Sequence, residues 1–340
     1  MIREAAELMD AKGKENEHRK PMLTASQQVQ HLKAKGVKFE LCSEKEAIDY
    51  LEHANNYLRT ASYRKLYPIK AEGPHAGEYI GLDFAALIAL SSVDRVLRSA
   101  LREICIDVEH FGHVELINRC MDHKEDGYKI IEDYFAYQRA KGNIGAASSL
   151  MSRSASGRNP DTYSGNLIAH YTDDLGGLSI WAFLEVIEFG RFADFWLFCA
   201  RRWNDTKMFD EHYVLKSVKG LRNATCHNSC IVHGLTKRGE RAGFEVRKLI
   251  ATSMKEYGLK NTKSRRAKLS NLYLAQIAAT LYADSEYCTR PSTKKRHIAL
   301  MNQTKLSVEN ALPMCPADGS LGAYFDFLFK MVDIWIQPNA

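Results

Sequence analysis

Proline is scarce here, with eight in 340 residues, so few positions carry the ring that breaks helices. Runs of alternating Val, Ile and Thr between turn signals, the mark of a large sheet, are missing as well. Leu, Ala, Lys, Glu and Arg are plentiful, and these are strong helix formers. The expected fold class is therefore all-α. The N-terminus, MIREAAELMDAKGKENEHRK, is polar and mixed in charge and lacks the apolar core of a secretory leader. The most apolar long stretch, LSIWAFLEVIEFGRFADFWLFCA, contains Glu185, Glu188, Arg191 and Asp194, charges that cost about 3 kcal/mol each at a bilayer centre. It reads as one buried core helix and not as a membrane span. The eight cysteines are scattered through the chain, and with no leader expected, reduced thiols in the cytoplasm are the default. A cytoplasmic protein with no membrane partner is expected.

What is present is ordinary for a globular protein: 45% hydrophobic and 26% charged residues, enough for a sizeable core. The net charge of +6 permits a polyanionic partner without requiring one. Helix signals begin with Thr24 or Ser26 as a cap, Val29 and Leu32 as an apolar side, and Gly36 as a stop. Ser43 followed by Glu46 is a capping-box pattern. Pro68 to Gly81 reads as a loop. Leu87, Leu90, Val93, Leu97, Leu101, Ile104 and Val108 step by three or four and define a long amphipathic helix, with a break expected at Gly112. Residues 140–166 are rich in Gly and Ser and read as a loop. The expected organisation is an N-terminal helical segment over 1–70, a helical core over 71–240 with an insertion near 140–166, and a C-terminal helical extension over 241–340.

The densest chemistry lies in GLRNATCHNSCIVHG, residues 220–234. Zinc needs four ligands, usually as two separated pairs. Here Cys226, His227, Cys230 and His233 crowd one stretch and no second pair answers them. No metal and no cofactor is expected. On a helix at about 100° per residue, Val218, Leu221, Thr225 and Val232 form a core stripe, and Asn223 and His227 lie nearly opposite it. Arg222 and His227 are then about 140° apart around the axis, so they converge only by a bend, a wrapping side chain or a second copy. Chemically, Arg222-Asn223-x3-His227 holds what metal-free RNA cleavage requires. A histidine near neutrality moves protons, an arginine fork meets phosphorane oxygens, and an asparagine orients either by hydrogen bonding. Standing alone, Arg-x4-His is a weak pattern that arises often by chance, and a polar helix face is the better explanation of it.

Four further blocks stand in order with this one. They are KPMLTASQQVQHLKAKGV; NNYLRTASY, with Tyr57, Arg59 and Tyr63; DRVLRSALREICIDVE, with Asp94, Leu97, Arg98 and Glu109; and IWAFLEVIEFG, with Trp181, Glu185, Phe189 and Gly190. Together with LRNATCHN they resemble the Abi family of bacterial abortive-infection proteins, the AbiD/AbiF-like group of the HEPN superfamily. The resemblance implies a HEPN-like helical bundle with additional N- and C-terminal helices. It also implies a metal-independent endoribonuclease of a phage-defence or toxin system, usually with a composite site across a homodimer. By it, Arg222 binds the scissile phosphate, His227 handles the proton and Asn223 orients them. Asn228 stands where the family carries a second histidine. Glu185 and Asn228 are the candidate supporting residues; Glu185 could pair with Arg222 and hold it in place, against the competing reading of an ion pair or hydrogen bond that only positions helices. Asp94, Arg98 and Glu109 read as a structural network, and Tyr57, Arg59 and Tyr63 as packing. Arg153 and Arg158 in the Gly/Ser stretch, and the cluster Lys263, Arg265, Arg266, are candidate RNA contacts. The expected partners are RNA, a second copy, and an antitoxin or regulatory partner. The competing reading is a non-catalytic protein that holds a small structured RNA.

Overall fold

Local caps set the first helices. In the computed structural model, Thr24 accepts from the Gln27 backbone N–H while the Gln27 side chain accepts from the Thr24 N–H, and Ser43 and Glu46 form the same reciprocal pair. Each pairing satisfies donors that a helix start leaves open. The structure describes residues 22–145, 167–168, 170–171, 177–236, 243–316 and 320–337. Arg153, Arg158 and most of the Gly/Ser-rich stretch lie outside the described residues. Among the described residues the chain is all-α, with 14 helices and no strand. In order they are α1 Ala25–Lys33, α2 Glu44–Asp49, α3 Tyr57–Thr60, α4 Phe84–Asp122, α5 Lys129–Ala140, α6 Ile180–Val186 and α7 Phe189–Arg202. Then follow α8 Thr206–Cys226, α9 Val232–Leu235, α10 Phe244–Glu256, α11 Lys263–Leu269, α12 Leu272–Tyr287, α13 Pro291–Ala311 and α14 Ser320–Trp335. No described helix is long and apolar enough to cross a membrane.

Contacts divide the chain into two units, Met1–Ser91 with Met314–Pro316, and Ser92–Pro313 with Ala317–Ala340. In the first, the Asp83 carboxylate accepts from the backbone N–H groups of Glu40, Leu41 and Ala85 and so closes a loop onto the start of α4. Tyr63 is fully buried there and Arg64 donates to the Tyr57 hydroxyl, so the aromatic block packs.

The second unit is built around α4 from Ser92 onward, α7, α8 and α12. The apolar stripe of α4 is buried at each of its seven predicted positions, each worth roughly 1.5–3 kcal/mol. The helix is 39 residues long, about 58 Å, and does not break at Gly112. A Cβ there would meet the Phe192 ring of α7 at 3.1 Å, so the glycine permits close approach of two helices and is not a stop. The apolar stretch read as one helix is two: Ile187 and Glu188 are extended, α6 ends before them and α7 starts after them. α8 packs on α7 and α12, closely enough at Gly220 that a Cβ would meet the Gln276 amide at 2.5 Å. Buried charges are paired: Glu211 with Arg119, which also covers the Trp196 ring, and His297 between Asp284 and Asp107.

Candidate functional site

Helix α8 carries the motif to its last residue and then stops. The stop is a Schellman motif: the Asn228 N–H donates to the Thr225 carbonyl at 3.2 Å, the Ser229 N–H donates to the Ala224 carbonyl at 2.8 Å, and Asn228 has φ +55°. Asparagine tolerates this left-handed conformation better than most residues. The helical projection therefore holds for Val218, Leu221 and Thr225, all buried, but not for Val232, which begins the core face of a separate short helix, α9. His227 is the C-cap, exposed, at the point where the chain leaves the helix. Arg222 and Asn223 are half-buried one turn earlier.

The chain beyond the motif is held by α4. Asp94 is completely buried and accepts from the N–H groups of Ile231 and Val232, both at 2.7 Å. Arg98 pairs with Asp94 and reaches the Ser229 carbonyl at 3.4 Å. Those two residues are thus the structural network that the sequence pattern suggested.

Glu109 is not part of it. Its Oε2 lies 3.6 Å from the Nε of Arg222, too long for a hydrogen bond, and that buried Nε has no hydrogen-bond partner. Burial pushes the Glu109 carboxyl above its ordinary range, and the Arg222 charge opposes the push. The guanidinium also approaches the Asn223 side-chain oxygen, Nη1 to Oδ1 at 3.5 Å. Arg222 is therefore presented and only loosely tied. Glu185, the candidate buried partner of Arg222, is exposed on α6. The carboxylate beside Arg222 is instead Glu109, because the register of α4 against α8 brings residue 109 opposite 222 while α6 ends before α7 packs. Glu188 is likewise exposed, at the N-cap of α7.

Cys226 is exposed, Cys230 and His233 are half-buried. Among the described residues no group of three or more His, Cys, Asp or Glu is arranged to hold a metal ion. The basic cluster on α11 is turned partly inward on itself. Arg265 donates to the Lys260 carbonyl at 2.5 Å and Arg266 to the Asn261 carbonyl at 2.7 Å, while Lys263 is exposed. Sequence reasoning missed the row of arginines on α4. Arg95, Arg98 and Arg102 line a cavity of about 290 Å³ with Ser99, Thr225 and Asn228. Its signal was present in the spacing of Arg95, Ser99 and Arg102, which share one helix face.

These features define an all-helical protein that presents an arginine, an asparagine and a histidine at the end of one core helix. A family model described as Abi-like protein matches residues 49–233, more than half of the chain. The match takes in α8 and its motif, and the chain belongs to the Abi-like, abortive-infection family. The comparisons with curated proteins and with solved structures found no match.

Proposed function

We propose that this chain is a metal-independent endoribonuclease of the HEPN type, acting in phage defence or as a toxin. In this reading it cleaves RNA by attack of a 2′-hydroxyl on the adjacent phosphate. The observation that carries the reading is the state of Arg222. It is a half-exposed guanidinium with a buried Nε left without a hydrogen bond, beside Asn223 and one turn from the exposed His227. A structural arginine in a helical core is held by short bonds; this one is loosely tied, and the exposed part of its side chain can meet a phosphate. Arg222 would bind the non-bridging oxygens and stabilise the charge that grows on them. His227 would take or return the proton, and Asn223 would steer the guanidinium. One His227 per chain and no adjacent second histidine favour a homodimeric site in which the partner's motif supplies the other proton carrier. An antitoxin or regulatory partner would keep the activity silent.

Induced expression with growth as the readout tests this, together with purified protein and labelled single-stranded RNA in the presence of a chelator. Growth arrest and cleavage are expected for the parent and are expected to vanish in Arg222→Ala and His227→Ala. Removing the phosphate-binding donor should cost about 100- to 1000-fold in rate. Unchanged toxicity and cleavage in both variants would refute the catalytic assignment. The Schellman turn favours a second reading, because the position expected to hold a histidine is used here as a backbone turn residue. That reading is a protein that holds a small structured RNA without cutting it, and it predicts a discrete co-purifying RNA unaffected by either substitution.

A further inference from the structure

We infer that the outer face of α4 beside the motif is a subsite for the phosphates of an RNA strand, with Arg95 and Arg102 as its cations and Ser99 between them. The inference rests on the RNA-directed reading of the Arg222–His227 site. Residues 95, 99 and 102 fall within about 60° of one another on the helix. Arg95, Ser99 and Arg102 are exposed, and they face a cavity of about 290 Å³ whose other wall is Thr225 and Asn228. Thr225 is three residues beyond Arg222, whose carbonyl its hydroxyl bonds at 2.8 Å. Asn228 directly follows His227. The cleft therefore borders the end of α8 that carries the motif.

The charge in this cleft is not already spent. Arg98, the third arginine, is neutralised by the buried Asp94 and committed to the Ser229 carbonyl. Arg95 and Arg102 make no ion pair or side-chain hydrogen bond with a described residue, and among the described residues no carboxylate lines the cleft. Arg98 with Asp94 forms a rigid neutral floor, and the other two arginines carry a net positive rim. Their separation of seven residues rises about 10 Å along the helix. The row is thus longer than a single phosphate group and suits neighbouring phosphates of one strand.

The test uses the full chain with Arg95→Gln and Arg102→Gln together, both exposed and outside the packed core. A control removes two charges elsewhere, Lys295→Gln with Lys305→Gln on α13, both exposed. Binding of a labelled single-stranded RNA is measured across salt concentration, each pair of substitutions being placed in His227→Ala so that the RNA is not consumed. The expected result is affinity lowered at least tenfold and a salt dependence shallower by about 0.7 per arginine in the cleft variant, with the control unchanged. Inorganic phosphate at matched ionic strength should not displace the RNA; if it competes at millimolar levels, the cleft is a free-phosphate site and the strand assignment falls. Cleavage by the parent alongside undiminished binding in the cleft variant would overturn the subsite and leave the nuclease reading standing. Binding lost in the cleft variant from a parent that never cleaves would support the subsite and remove the nuclease reading. A parent that neither binds nor cleaves RNA overturns both.

Discussion

Two arginines reach from or toward α4, and each meets a carboxylate. Arg98 and Asp94 have side chains 9% and 0% exposed, in direct contact, with two backbone N–H groups and a carbonyl completing the set. Arg222 and Glu109 are 37% and 16% exposed, 3.6 Å apart, with the Nε left over. The residue types are the same to within one methylene, yet the first pair closes a fold and the second holds a guanidinium open. A buried ion pair adds little unless its remaining donors and acceptors are satisfied, and only the first meets that condition. Satisfaction, more than proximity, separates the structural arginine from the one available for chemistry.

The contrast breaks first at Asp94. Asp94→Ala would leave Arg98 buried without its counter-charge and two N–H groups without an acceptor, an expected loss of about 3–5 kcal/mol. Denaturant unfolding measures it, and a loss under about 1 kcal/mol would show that the network is decorative.

Glu109→Gln is expected to act in the opposite sense on stability. Because burial raises the Glu109 carboxyl, the folded state holds that proton to higher pH than the unfolded chain does. Stability therefore falls as pH rises from the unfolded value through the folded one. The amide removes this slope, so the variant should equal or exceed the parent in stability at neutral pH and lose that advantage below about pH 4. In the proposed nuclease, cleavage should drop about tenfold from a less well placed guanidinium. A variant that is less stable at pH 7, with unchanged cleavage, would make Arg222–Glu109 a structural pair after all.

Much of this was legible in the chain. The seven-position stripe of α4, the cap at Thr24 and the capping box at Ser43 follow from period and cap chemistry, and α8, with Asn223 half-buried and His227 exposed, follows from a stripe that is buried through Thr225. What was not legible is pairwise and tertiary. No periodicity says which carboxylate faces Arg222, since that depends on the register of α4 against α8, and Glu185 was as good a candidate as Glu109. Gly112 looked like a stop because a glycine inside a helix usually weakens it; only the Phe192 ring of α7 explains it. The division of the apolar stretch at Ile187 and Glu188 had no proline or glycine at that point to announce it. The end of α8 did carry a signal, an asparagine one place beyond a cap, which the functional interest of the neighbouring histidine obscured.

Asn228 stands on the boundary between the two regions and gives the smallest expected effect. Its φ of +55° makes it the turn residue of the Schellman motif, and its place in the α4 cleft brings it beside the candidate site. If the backbone is the reason for it, Asn228→Gly should leave stability within about 0.5 kcal/mol of the parent, because glycine enters the left-handed region freely. Asn228→Ala should cost about 1 kcal/mol. Cleavage should then be unchanged in the glycine variant, since the turn and the position of His227 are preserved. A tenfold loss of cleavage at full stability would move Asn228 into the functional region, as a side chain that orients His227 or touches RNA. Asn228→His separates these further, because histidine is among the residues that accept this conformation. A rise in cleavage would mean that the turn had displaced a second proton carrier, whereas no change would leave His227 as the only histidine of the proposed site.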